Sequence, residues 1–564
     1  MKTIIFGNIP LDINARHDAM RSGINGGYVF YVTAVQGLLR HSGYERFIFL
    51  SRRERERFSL AESEEFKTCK RNIVIVDPTQ FSDLVDIEDA ILVTTTEQMG
   101  PLLYLRELLS GYQPPAVGFL SAANPSWLGR FLLPMVLAGA TDSDALVCAS
   151  RASRTVAQSI MSLLGSPSRF NHGILQCAVQ TPLIPEAVDC SEFQQSREES
   201  RRSLGFDAEE VVLLFLARFE MYGKCDLGPL VLAFSRLRRS SHHPIRLVLA
   251  GADGDKVTGA IKQFAAELGC SEAVVVHPNP AHGEKVKLLC AADIFVLPGD
   301  GVAESFGLAV VEAMASGLPC VVSDWDGYRA TVVHGRTGFL VPTMWTELGP
   351  CVDAFDHFGL DAVSTLAATT VLNNEALEHY LRLLIDSPDL RRQMGTEARR
   401  HALAHFDWPV VVRQYDRLFD TLREQRRHRG DAGVRTRSRR SAVSFQNWFN
   451  SYPTRSVEVD EPISITDGGR HWLNSPYRLG LGNSHPDLID HDLCVQIARV
   501  SLAGEAADLG SLVEKSAAMT ERPAWLIHVN TMRLIKYGIL ACKGDVNEMQ
   551  AQIGRQADCP VAST

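Results

Sequence analysis

The sequence predicts an α/β protein with two doubly wound, Rossmann-like lobes, a cleft between them, and a small, mainly helical C-terminal domain. Three observations lead there. Strand-type runs alternate with helix-type runs from the N-terminus to about Asp189. The alternation stops at Pro182–Pro185 and the polar stretch Cys190–Ser203, then starts again at Val211. Beyond about residue 428 the spacing is helical only. Strands that alternate with helices form a mostly parallel sheet covered on both faces.

Taken in order, Lys2–Phe6 reads as a strand, Tyr28–His41 as a helix and Phe47–Ser51 as a strand. Ile73–Val76, Ala90–Thr94 and Ala116–Leu120 are further strands. Phe131–Ala138 is a short helix that tolerates Pro134 only in its first turn. Ala145–Ala149 (strand) and Ser153–Leu164 (helix) close the first lobe. In the second lobe the unbroken apolar run Val211–Ala217 is typical of a fully buried parallel strand. The helix Leu227–Arg238, strand Ile245–Ala250, helix Lys256–Leu268, strand Val274–His277, helix Gly283–Ala291 and strand Ile294–Leu297 follow. The helix Leu308–Ser316 and strand Pro319–Ser323 end the alternation. A long helical pattern runs from Phe406–Trp408 to about Gln425, and Asp490–Leu502, Leu509–Thr520 and Trp525–Gly538 have helical spacing. The expected domains are 1–190, 200–405, a returning helix over 406–428, a basic linker over 429–460 and a helical extension over 461–555, with a faint winged-helix character.

Composition excludes several classes. Of 564 residues, 45% are apolar and 22% charged, which is globular rather than disordered. No run approaches the roughly 20 apolar residues of a membrane span. The opening MKTIIFGNIP has neither a long apolar core nor a small-residue cleavage site, so it reads as a first strand rather than a signal peptide. A net charge of −9 argues against binding to a phosphate backbone. The twelve cysteines form no CxxC pair, so no zinc or dithiol site is signalled and a reduced, cytoplasmic chain is expected. The one basic stretch, Arg426–Arg440, reads as a solvated linker, with 426–564 as the place for a protein or peripheral-membrane contact.

The most informative stretch runs from Pro298 to Pro342. Glu304 falls in the loop after a buried strand, Ser305, Phe306, Gly307 and Leu308 open the next helix, and Glu312 lies further into it. The first-turn N–H groups of a helix and its dipole make an anion site suited to phosphate. Gly307 lets a ligand approach the backbone. A carboxylate such as Glu312 can accept two hydrogen bonds from the vicinal hydroxyls of a ribose, and Glu304 can do the same for a sugar ring beyond the phosphates.

Glu304-Ser-Phe-Gly through Glu312-Ala-Met-Ala-Ser-Gly-Leu-Pro, with Gly335-Arg-Thr-Gly-Phe-Leu-Val-Pro, resembles the signature of the retaining GT-B glycosyltransferases of family 4. Ala217-Arg218-Phe219 with Tyr222-Gly223-Lys224 resembles that family's diphosphate-binding segment. Leu247–Gly251, Ala292–Pro298, Ile184-Pro-Glu-Ala-Val-Asp189, Asn25-Gly26-Gly27 and Phe406-Asp-Trp408 match further pieces in the right order. The resemblance covers about 1–428 and is strongest over 210–342. It implies a hexosyltransferase that uses a UDP- or GDP-sugar and retains configuration without a metal or other cofactor. Gly26 and Gly27 would line the donor, and Arg218 and Lys224 would neutralise its diphosphate. Charge builds on that leaving group as the glycosidic bond breaks, so fixed cations there favour the transition state. Glu304 would position the sugar rather than attack it. The acceptor is left open among glycan, lipid, small metabolite and protein, and a non-catalytic nucleotide-sugar-binding scaffold is the alternative.

Two departures concern the acceptor half. Val117–Pro125 has no His where many members carry one, with Ser121, Asn124 and His172 as nearby candidates. Asp326-Gly-Tyr-Arg-Ala330 replaces the family's usual Gly-Gly and Glu, leaving Arg329 either for substrate anions or for a surface carboxylate. The DxD patterns at Asp142–Asp144, Asp253–Asp255 and Asp324–Asp326 are common by chance.

Overall fold

The computed structural model describes residues 1–7, 26–51, 69–120, 131–164, 177–349, 362–429, 451–479 and 489–542, apart from 77–80, 82–83, 85, 107–108, 110–111, 137, 222, 255 and 523. The two lobes share one strand order. In the first, β1 (Thr3–Phe6), β2 (Arg46–Leu50), β3 (Asn72–Val76), β4 (Ala90–Thr95), β5 (Ala116–Leu120) and β6 (Ala145–Cys148) run β3-β2-β1-β4-β5-β6. In the second, β7 (Val211–Leu216), β8 (Ile245–Gly251), β9 (Val274–Pro278), β10 (Ile294–Leu297), β11 (Cys320–Ser323) and β12 (Gly338–Val341) run β9-β8-β7-β10-β11-β12. Every pairing in both sheets is parallel. All six residues of β7 are buried, as its continuous apolar run requires.

Helices that the periodicity missed complete the structure. Thr96–Arg106 carries Gly100 and Pro101 in mid-pattern, which hides its period. Arg197–Leu204 lies within the polar stretch expected to end the first lobe, and Arg201 ties it to Asp293 at 3.0 Å. Ala362–Thr369, Asn374–Asp386 and Pro388–His405 follow the second sheet.

The helix Trp408–Arg429 returns to the first lobe. The Trp408 ring fills the space beside Gly37, where a Cβ would sit 2.4 Å from it, and stacks on Phe30 at 6.2 Å. Arg426 donates to Gln113 O at 3.0 Å and Arg427 pairs with Asp89. The start of the basic stretch is therefore docked helix rather than solvated linker. The linker reading also runs too far at its other end. β15 (Arg455–Ser456) pairs in parallel with β13 (Thr343–Trp345), and β14 (Val371–Leu372) pairs with β13 on the other side. The extension adds β16 (Ile463–Ile465) antiparallel to β17 (Leu540–Cys542), with helices Asp467–Asn474, His491–Leu502, Leu509–Thr520 and Ala524–Lys536. No helix among the described residues is long and apolar enough to cross a membrane.

Candidate donor-sugar site

In the second sheet the strand order reverses between β7 and β10, and ligands of such sheets bind at the carboxyl edge at that point. The loop after β7 carries Arg218 and Lys224; the loop after β10 carries Glu304. The fold brings the last two together, since Lys224 Nζ pairs with Glu304 Oε2 across 80 residues of chain. The Tyr328 hydroxyl donates to the same oxygen at 3.2 Å. Arg218 Nη1 lies 2.6 Å from Glu220 Oε2.

Glu304, Ser305, Phe306 and Gly307 form a loop, and the helix begins at Leu308, so only the last of the residues expected to open it is helical. Gly307 caps it with φ at 99°, and no side chain occupies the cap. A Cβ there would meet the Tyr328 ring at 2.9 Å, and L side chains rarely adopt that φ. Phe306 is buried and packs edge-on against Phe406 at 5.5 Å, so its ring holds the loop to the returning segment rather than facing a ligand. Ser305 is also buried. Glu312, expected to receive ribose hydroxyls, holds Lys285 Nζ on its Oε1 at 2.5 Å. Lys285 was not singled out in the sequence; it comes from the neighbouring helix His282–Ala291.

Two more carboxylates surround the Lys224–Glu304 pair. Glu186 belongs to the segment joining the lobes and is only 5% exposed. Burial, then the negative Glu304, push its carboxyl well above the usual range, with Lys224 opposing. Asp326 is 1% exposed, with φ at 39°. Burial first and Glu304 second raise its carboxyl, while the Tyr452 hydroxyl from the extension lies against it. Positive φ fits its place where the resembling family has glycine.

Arg329 resolves to the surface-carboxylate option. Its Nε donates to Asp324 Oδ1 at 2.6 Å and its Nη1 to Ser451 O, so it fastens the extension. The other acidic patterns are structural where described. Asp144 is the partner of buried Arg106, and Asp253 caps a helix start by accepting from Val257 N at 2.7 Å. Gly26 and Gly27 form the first turn of the helix Gly26–His41. Asn25, Ser121, Asn124 and His172 lie outside the described residues.

The fold is thus the two-lobed α/β glycosyltransferase fold, GT-B. It is shared with Anabaena HepE solved in complex with UDP (TM-score 0.51, 15% identity, 75% of this chain and 100% of that one). HepE solved with UDP and glucose gives a TM-score of 0.50 at 14% identity, with the same coverage. Residues 196–349, the lobe that carries Arg218, Lys224, Glu304 and Glu312, match the family model for glycosyl transferases group 1. The D-inositol 3-phosphate glycosyltransferase of Gordonia bronchialis is 31% identical over 225 residues, 38% of this chain and 41% of that protein. Its counterpart in Corynebacterium urealyticum is 33% identical over 260 residues, 43% of this chain and 51% of that protein. The chain therefore spans about half the length of the curated relatives it matches.

Proposed function

We propose that this protein is a metal-independent, configuration-retaining glycosyltransferase that moves a hexosyl group from a nucleotide sugar, UDP-linked before GDP-linked, to an acceptor. The observation that carries the proposal is the meeting of Lys224 and Glu304 at the carboxyl edge of β7 and β10, inside the segment that matches the group 1 family. The complexes of HepE with UDP and with UDP and glucose support a UDP-linked donor.

The residues divide the work by charge. Both cations are ion-paired, Lys224 with Glu304 and Arg218 with Glu220, so an arriving diphosphate exchanges one anion for another on each. That exchange releases the Glu304 carboxylate toward the sugar hydroxyls. Lys224 and Arg218 then oppose the charge that grows on the departing diphosphate, which lowers the barrier more than it tightens ground-state binding. Glu312, held by Lys285, faces the ribose end. Donor phosphate and acceptor hydroxyl share the transferred proton, so no enzyme nucleophile is needed. Glu186, on the segment joining the lobes, keeps its proton to a higher pH than an ordinary carboxyl and donates a hydrogen bond to an uncharged sugar or acceptor hydroxyl.

The test is a nucleotide-sugar panel read by thermal shift and nucleotide release. Turnover of one donor that falls about 10²- to 10³-fold in Lys224→Ala and in Glu304→Ala, with folding retained, is the expected result. A donor that binds without turnover against any acceptor would instead favour a scaffold.

A further inference from the structure

The helix Ala524–Lys536 ends inside the donor lobe. Lys536 is 2% exposed, and its Nζ pairs with Asp300 Oδ2. Asp300 is likewise 2% exposed and lies four residues before Glu304 in the loop after β10. The same oxygen accepts from Asp226 N at 3.3 Å, two residues beyond Lys224 in the loop after β7, and Asp300 N donates to Lys224 O at 3.2 Å. Tyr537 follows directly, with its hydroxyl 3.0 Å from both Asp226 oxygens, and Arg533 Nη1 lies 3.6 Å from Asp226 Oδ2. Gly228 makes room for Tyr537, since a Cβ there would be 2.2 Å from that hydroxyl. Two buried carboxylates side by side repel one another. Among the described residues, the cations paired with them are Lys536 and Arg533, both from the extension.

We infer that Lys536 is a positioning residue for the donor site: by neutralising Asp300 it clamps together the two loops that carry Lys224 and Glu304. The inference rests on the donor-site reading above. A helix that merely filled the core would need neither a buried lysine nor a paired aspartate, because an apolar pair there is often neutral or stabilising. The lysine reaches the one loop whose backbone leads to Glu304, and Asp300 in turn holds the backbone of Lys224 and Asp226.

The experiment uses the full chain as Lys536→Met and as the neutral double variant Asp300→Asn/Lys536→Met. The single variant leaves a buried unpaired carboxylate and can fail to fold; the double variant removes both charges and keeps the question answerable. Amide hydrogen exchange of peptides covering 298–307 is read beside calorimetric titration with UDP and UDP-glucose. In the folded double variant, exchange in 298–307 is expected to rise and UDP-glucose affinity to fall, each about tenfold, while exchange in β1–β6 stays put. Unchanged exchange in 298–307 overturns the inference. So does faster exchange with wild-type donor affinity. Faster exchange in a protein whose wild type binds neither probe upholds the clamp and overturns the donor reading instead.

Discussion

The two lobes bury charge in opposite ways. In the first, Arg106 and Asp144 form an ion pair at 2.6 Å with both side chains essentially inaccessible. Asp144 also accepts from Ala116 N at 2.8 Å and Thr141 N at 2.7 Å, and Arg106 donates to Pro114 O at 3.3 Å. Every partner lies within 38 residues. In the second lobe, Asp300 and Asp226 wait for Lys536 and Tyr537, 236 and 311 residues away. The shared strand order makes the difference instructive. A doubly wound sheet can satisfy a buried ion pair from within, as the first lobe does at Arg106 and Asp144. The second borrows cations from outside, and it borrows them at the loops that hold the candidate site.

The largest expected effect comes from deleting residues 451–564. That exposes the buried face of Trp325 and Trp345 and leaves Asp226 and Asp300 without cations. Loss of the second lobe's cooperative unfolding by calorimetry is expected, with the first lobe's exchange protection retained. A truncated chain that melts like wild type would break the comparison. Next, Arg106→Met strands a buried Asp144 and should cost about 3–5 kcal/mol in urea unfolding. UDP affinity of the folded molecules should not move, because that pair serves only its own lobe.

A smaller effect follows pH. Burial and neighbouring Asp226 raise the Asp300 carboxyl to about 6 against an ordinary 3.8, with Lys536 opposing. A raised acid takes up its proton more readily folded than unfolded. Asp300 therefore penalises folding above pH 6, and the penalty fades as pH falls toward 4. Relative to Asp300→Asn/Lys536→Met, wild-type Tm should gain a few degrees between pH 7 and pH 4, read by scanning calorimetry; a flat difference would show that the pairing with Lys536 fully offsets burial and Asp226. The smallest effect is at Arg427→Ala, whose half-exposed side chain pairs with Asp89 on the surface. It should change unfolding free energy by about 0–1 kcal/mol.

Much of this was legible in the sequence because it is local. The apolar run of β7, the Glu304–Glu312 spacing and the Trp408 segment each carry their signal within a few residues. The gaps are of another kind. Lys285, Glu220 and Tyr328 matter only through partners that other elements deliver, and Lys536 reads as an ordinary basic residue near a helix end. Glu186 stood in a matching segment and Asp326 in a departure from one, but the meaning of each depends on a burial no pattern reports. Three of the extension's helices were visible from their period, Asp467–Asn474 was not, and neither was their attachment to the second lobe, since a contact across 236 residues leaves no local trace.

That long reach has a consequence for synthesis. At about 5–20 residues per second, a ribosome that has just finished Asp300 needs on the order of ten seconds to a minute to reach Lys536. Once the helix Trp408–Arg429 has been made, the first lobe can be complete while the second still holds two acids with no counter-charge. The nascent chain therefore passes through a half-finished state, and a chaperone that shields it during this interval should raise its yield.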